Sequence, residues 1–290
     1  MKLHLVDGTY ELFRAFYGAP PARDATGRPV GALRGLLATI LSLLREPGVT
    51  HVACAFDHVI ESFRNRLFEG YKTGDGIDAD LLAQFEPAER ALAALGVVVW
   101  PMVEFEADDA LATAAGLWRD APGVEQVVIC SPDKDLSQCV VGSRVVCRDR
   151  RQRLERDEQG VVARFGVAPA SIPDWLALVG DTADGIPGIP GWGEKSAGAV
   201  LARYDRLEAI PDDPSRWEVD VRGRERLAGA LAARRAEAAL YRQLATLRTD
   251  VPLAEGLEQL AWRGARRSEL APLCAAIGAE ELLGRVPRWQ

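Results

Sequence analysis

Lys2-Leu3-His4-Leu5-Val6-Asp7 is a six-residue apolar run that closes on an acid, and it sets the reading of the first half of the chain. Two later segments repeat the pattern: His51–Asp57 (HVACAFD) and Gln126–Asp133 (QVVICSPD) are short β-rich runs that also end on an aspartate. Each is followed by apolar residues at helical spacing, as in GALRGLLATILSLLRE (31–46), LLAQFEPAERALAALG (81–96) and ADDALATAAGLWRD (107–120). Strands alternating with helices imply a parallel sheet with helices on its faces. GVVVWPM (96–102) reads as a fourth strand, and SRVVCRD (143–149) with QRLERDE (152–158) as a hairpin-like pair. Open sheets of this kind present ligand sites beyond the carboxyl ends of their strands, so Asp7, Asp57 and Asp133 come from three chain segments to one rim.

From about Ser171 the strand signal stops and helical stretches alternate with Gly/Pro breaks, which predicts a domain over 1–170 and a second, helical one over 171–290. The polar DDPSRWEVDVRGR (212–224) reads as a loop before one helix spanning RERLAGALAARRAEAALYRQLATL (224–247).

The 290 residues are 48% hydrophobic, ample for a buried core, and the formal net charge is −7. That sign disfavours general nucleic-acid affinity, so any phosphate contact must come from local cations. Only four lysines occur, Lys2, Lys72, Lys134 and Lys195, against 31 arginines, and three of the four fall inside the motifs below. Five scattered cysteines without C-x-x-C spacing argue against a disulfide framework or structural zinc, and point to the reducing cytoplasm. The opening MKLHLVDG lacks the features of a secretory leader, and no apolar run is long enough to span a membrane.

Nine carboxylates carry the chemistry: Asp7, Asp57, Glu106, Asp108, Asp109, Asp133, Asp135, Asp181 and Asp184. Singly, each has another role open to it. Glu106, Asp108 and Asp109 suit a helix start, Asp133 a cap, and Asp181 and Asp184 a turn. Jointly they differ, because acids that close apolar strands are costly to desolvate unless a cation compensates them. Carboxylates without a His/Cys cluster favour hard ions such as Mg²⁺ or Mn²⁺. The i, i+3 pairs Glu106/Asp109 and Asp181/Asp184 each put two acids on one helix face or turn.

GIPGWGEKSAGAVL (188–201) reads as a helix-hairpin-helix, in which Gly188, Gly191 and Gly193 allow a tight turn close to a phosphate and Lys195 adds charge.

The ordered set LVDG, AFD, FEADD, SPDKDL and GDTADGIPGIPGWGEKSA resembles the 5′-nuclease superfamily, in particular the 5′-3′ exonuclease domain of bacterial DNA polymerases, over about residues 1–250. The resemblance implies a PIN-like α/β nuclease domain followed by a helical helix-hairpin-helix domain. It further implies that the nine acids surround two Mg²⁺ or Mn²⁺ ions, and that the hairpin grips duplex DNA and holds K⁺ on its turn carbonyls. The segment ESFRNRLFEGYKTG (61–74) resembles the family's FR…YK element, which gives Arg64 and Lys72 a role at the scissile phosphate and Tyr71 a role in base stacking. Arg14, in ELFRAFYG near Asp7, is a further candidate cation. The implied activity is structure-specific 5′-3′ exonuclease or flap endonuclease cleavage of DNA with 5′ ends, flaps or junctions, working beside a separate polymerase and ligase. A PIN-type ribonuclease and a non-catalytic junction binder are the alternatives. Three departures stand out: Gly185 where Asn is usual, Pro190 where a base is usual, and the acidic GDGIDAD (74–80) after Lys72, which predicts repulsion of a threaded strand.

Overall fold

A computed structural model describes residues 1–290. The chain runs β1 (Lys2–Asp7), α1 (Gly8–Gly18), α2 (Gly31–Leu44), β2 (Val49–Asp57), α3 (Phe63–Leu67), α4 (Ala79–Leu82), α5 (Phe85–Ala94), β3 (Val98–Met102), α6 (Ala107–Trp118) and β4 (Gln126–Cys130). It continues through β5 (Val145–Asp149), β6 (Leu154–Arg156), α7 (Glu158–Phe165), α8 (Ile172–Val179), α9 (Glu194–Tyr204), α10 (Arg224–Ala232), α11 (Arg235–Ala245) and α12 (Arg267–Ala276). No helix is long and apolar enough to cross a membrane.

Contacts gather the chain into two compact units that interleave in sequence. The first comprises Met1–Ile60, Gly74–Ser131 and Thr249–Gln290; the second comprises Glu61–Thr73 and Pro132–Arg248.

In the first unit, β1 pairs in parallel with both β2 and β4, so that Val6 lies between Cys54 and Cys130, and β2 pairs in parallel with β3. These strands carry apolar residues on both faces, as a sheet covered on both sides requires, and Leu3, Leu5, Val6, Val127, Val128 and Ile129 are fully buried. Each such side chain contributes roughly 1.5–3 kcal/mol of transfer free energy. The register sets Asp7 opposite Ala55 and Asp57 opposite Met102, which places both acids at carboxyl ends of neighbouring strands, as their positions in the apolar runs imply.

The same unit takes in the last part of the chain. Trp262 donates its backbone N–H to the Thr50 carbonyl and its indole N–H to Leu95, while the Arg266 N–H reaches Ala94. Residues 249–290, grouped by element type with the helical second half, therefore complete the core of the first unit.

The second unit holds the antiparallel hairpin β5–β6, with Arg148 opposite Glu155 and paired to it at 2.7 Å, followed by a helical assembly in which α11 packs on α8 and α8 on α9. The helix expected over 224–247 is two. It breaks at Ala233 and Arg234, where the guanidinium of Arg235 donates to the carbonyls of Leu207 and Ile210 and pairs with Asp212, pinning the start of α11 to that loop. The helix expected over 81–96 likewise divides into α4 and α5, interrupted at Ala83 and Gln84.

Candidate metal centre

Asp7, Asp57 and Asp109 are each oriented by a local donor. Asp7 caps α1 by accepting the Tyr10 N–H at 2.8 Å, and its other oxygen accepts the Ser131 hydroxyl at 2.8 Å. Asp57 accepts the Ala107 N–H at 2.7 Å, where α6 begins. Asp109, fully buried, accepts the Glu106 N–H at 3.0 Å and so ties the two acids of that i, i+3 pair together, while Asp108 is partly exposed beside them. Helix-start and ion-binding roles are thus compatible in EADD: the cap fixes the carboxylates' direction.

In the second unit, Asp135, Asp181 and Asp184 converge, each offering an oxygen within 4.8 Å of the others. The turn that does this is a closed loop: Asp181 and Ile186 exchange both backbone hydrogen bonds at 2.7 Å, and Asp181 Oδ1 accepts the Ala183 N–H. Asp133 accepts the Asp135 N–H at 2.8 Å and so fixes the D-x-D pair. Asp135 is buried, and its Oδ1 accepts no hydrogen bond. Burial, reinforced by the nearby charges of Asp133 and Asp184 and only partly opposed by Lys134, pushes its carboxyl well above the usual carboxylate range. A carboxylate held this way, beside two more, fits a hard divalent cation.

Two lysines meet this cluster. Lys72 Nζ lies 3.0 Å from Asp184, and Lys134 Nζ pairs with Asp181 and lies 3.9 Å from Asp135. Burial pulls the Lys134 ammonium down, but Asp135, then Asp181 and Asp133, more than reverse this and hold its pKa above the ordinary lysine value. Lys134 escaped the motif reading; its rarity in an arginine-rich chain and its place inside DKD were the available signal.

Lys72 is positioned by its own segment. Asn65 donates to the Lys72 carbonyl at 2.8 Å, and the Lys72 N–H donates to Asp184 O at 3.0 Å. Gly185 explains one departure: with φ +74°, a Cβ there would lie 2.1 Å from the Gly70 carbonyl oxygen. The close approach that seats Lys72 on Asp184 therefore demands glycine. Gly185→Ala is expected to cost about 2 kcal/mol or more in urea unfolding and to lower kcat/KM, and Gly185→Asn to rescue neither, since Asn tolerates the φ but not the clash. Wild-type stability in Gly185→Asn would show that the approach is dispensable.

Three expected contacts take other roles. Arg64 is only 1% exposed; its Nε donates to Leu244 O at 2.7 Å and its Nη2 to Thr246 O at 3.1 Å, so it bolts α3 to the end of α11 rather than presenting a charge to a phosphate. Tyr71 is buried, with Lys72 Nζ 5.6 Å from its ring centre, and backs the lysine instead of offering a face to a base. Arg14 bonds Glu11 through Nε and Nη2 and reaches the Thr39 hydroxyl at 2.8 Å, committing it to the α1–α2 packing.

At the hairpin, Gly188 (φ +72°) and Gly191 (φ +86°) take left-handed backbone, whereas Gly193 is extended and exchanges hydrogen bonds with Ser196 at the start of α9. Lys195 is exposed on the first turn of α9. Arg226 adds a cation there that the sequence did not reveal: a Cβ on Gly191 would sit 2.7 Å from its Nη1. In GDGIDAD, Asp78 caps α4 and Asp80 pairs with Arg23 at 2.7 Å, so part of the expected repulsion is locally compensated.

Two family models describe the chain: "5′-3′ exonuclease, N-terminal resolvase-like domain" matches residues 2–166 and "5′-3′ exonuclease, C-terminal SAM fold" residues 167–268. DNA polymerase I of Pseudomonas aeruginosa is 37% identical over 267 residues, and that of Mycobacterium leprae 35% over 264; each alignment covers 89% of this chain. The chain spans about 28% of the length of those polymerases. Among solved structures, bacteriophage T5 5′-exonuclease with bound divalent metal ions (zinc) superposes with a TM-score of 0.69 at 19% identity, covering 96% of this chain and 100% of that one. The catalytic core of Rad2 in complex with DNA substrate gives 0.62 at 15%, covering 97% and 91%. The fold is shared with both solved structures, and with both family models matched in order over 2–268, the chain belongs to the 5′-3′ exonuclease family.

Proposed function

We propose that this chain is a metal-dependent, structure-specific 5′-3′ exonuclease and flap endonuclease, hydrolysing DNA phosphodiesters near 5′ ends or single-strand/duplex junctions. The observation that carries this reading is the convergence of Asp135, Asp181 and Asp184 around a buried carboxylate oxygen that accepts no hydrogen bond. With Asp133 they are the proposed ligands of one divalent ion, and Asp7, Asp57, Glu106, Asp108 and Asp109 those of another, Mg²⁺ or Mn²⁺ in each case. Such ions, when bound, supply an activated water and neutralise charge on the leaving oxygen.

The chain's own residues do the rest. Lys72, seated by Asn65 and the Asp184 carbonyl, offers an ammonium to the scissile phosphate. Arg64 and Tyr71 position that lysine's segment. The Gly188–Gly193 turn and Lys195 grip the duplex backbone without reading its sequence, and the turn is where a K⁺ ion would be held. In linear order, residues 1–170 carry most of the nuclease chemistry, and 171–290 add Asp181 and Asp184 to it and supply the duplex-binding helices up to Arg248, with polymerase and ligase as separate partners in the cytoplasm.

The test is cleavage of an end-labelled 5′-flap DNA with Mg²⁺ or Mn²⁺, mapped to the nucleotide, beside single-stranded RNA. Cuts at the junction support the reading; RNA cleavage at equal or greater kcat/KM would favour a ribonuclease. We further expect less than about a tenfold preference in kcat/KM for a long flap over a nick, roughly 1.4 kcal/mol, with Asp75→Arg raising it, because the loop after Lys72 is acidic. A larger wild-type preference would show that Arg23 and the α4 cap suffice to pass a strand.

A further inference from the structure

We propose that Lys134 is a displaceable counter-ion of the Asp135–Asp181–Asp184 cluster, holding carboxylates that a divalent cation needs and so setting how tightly that cation binds. The inference rests on the functional reading above and goes beyond it by assigning a residue that opposes the ion instead of supporting it.

The geometry is specific. The Lys134 ammonium pairs with Asp181 and faces Asp135 at 3.9 Å, which are two of the three converging acids. The third, Asp184, is met by Lys72 at 3.0 Å. The carboxylates are buried, with side-chain exposures of 7% for Asp135 and 5% for Asp181, whereas the Lys134 side chain is 33% exposed. The acids are therefore fixed, and the lysine has water into which its four-carbon stem can swing.

The two ammoniums offset only part of the charge of Asp135, Asp181, Asp184 and the neighbouring Asp133, and so help the fold tolerate buried acids. A divalent ion entering among the same oxygens meets an ammonium a few ångströms away in a partly desolvated setting, where like charges repel far more strongly than in bulk water. Binding must then expel Lys134 from Asp181. The exchange has two opposite consequences: without Lys134 the ion binds more tightly, but the ion-free protein is less stable. A lysine that served only as a structural salt bridge would produce the second effect with metal and without it, and never the first.

The experiment is a Mn²⁺ titration of the full chain, following free Mn²⁺ by electron paramagnetic resonance, for wild type, Lys134→Met and Lys134→Arg, with thermal melting in EDTA and in saturating Mn²⁺. Lys134→Met is expected to bind its weaker Mn²⁺ about tenfold more tightly than wild type, with Lys134→Arg close to wild type. It should melt about 5 °C lower in EDTA and recover in Mn²⁺. Should Lys134→Met not fold in EDTA, Lys134→Gln takes its place in the titration with the same expectation. Unchanged or weakened Mn²⁺ binding in the neutral variants overturns the counter-ion role. Absence of saturable Mn²⁺ binding by the wild type would instead remove the metal-dependent reading itself, and this proposal with it.

Discussion

Asp181→Ala is expected to reduce 5′-flap cleavage by roughly a thousandfold while leaving duplex affinity within a few fold of wild type. Asp181 is the cluster's hinge: one oxygen fixes the turn through Ala183, the other meets Lys134, and its backbone closes the loop onto Ile186. Removing the carboxylate takes away a proposed ligand and frees the lysine to swing toward Asp135, while the turn proposed to grip the duplex, Gly188–Gly193, lies further along the chain. Single-turnover cleavage and fluorescence anisotropy on the same flap substrate measure the two halves. Cleavage within tenfold of wild type at saturating Mg²⁺ would mean that the three-acid cluster is not where the chemistry occurs.

Arg64→Ala is expected to cost roughly 3–5 kcal/mol of stability, on the order of 10 °C in Tm, because it leaves two carbonyls at the end of α11 without donors and a cavity where a guanidinium was packed. Arg64→Lys should recover little, since an ammonium on a shorter reach cannot serve Leu244 and Thr246 at once. Its effect on cleavage follows from loosening the segment that seats Lys72. A variant that melted like wild type yet lost activity would return Arg64 to the phosphate.

Arg64 also shows where sequence reasoning stops. An arginine in a polar stretch two residues from Arg66 carries no local mark of burial; its acceptors lie about 180 residues away and became visible only in three dimensions. Tyr71 and Arg14 share that difficulty, since long amphipathic side chains suit a core margin as well as a ligand. Lys134 is the converse case: it stood in plain view inside DKD, but its pairing with Asp181 depends on a turn 47 residues on. By contrast, the strand ends at Asp7 and Asp57 were legible, because an acid terminating a doubly buried parallel strand is a local pattern with one geometric outcome. The start of α6 was equally legible, and so were the left-handed glycines 188 and 191. The break between α10 and α11 was not, because alanines and arginines continue the helical pattern across it and only the distant carbonyls bound by Arg235 decide otherwise.

The late segment 249–290 gives the protein a timetable. Thr50 and Leu95 leave the ribosome early, yet the partner of both is Trp262, about 210 residues after Thr50. At about 5–20 residues per second, translation separates them by roughly 10–40 s. Even after β4 has been made, the strands of this sheet must wait for the tryptophan that pairs beside them, which would leave an apolar surface for chaperones to hold. The dependence also means that a chain released early, however intact its acidic motifs, carries an unfinished core.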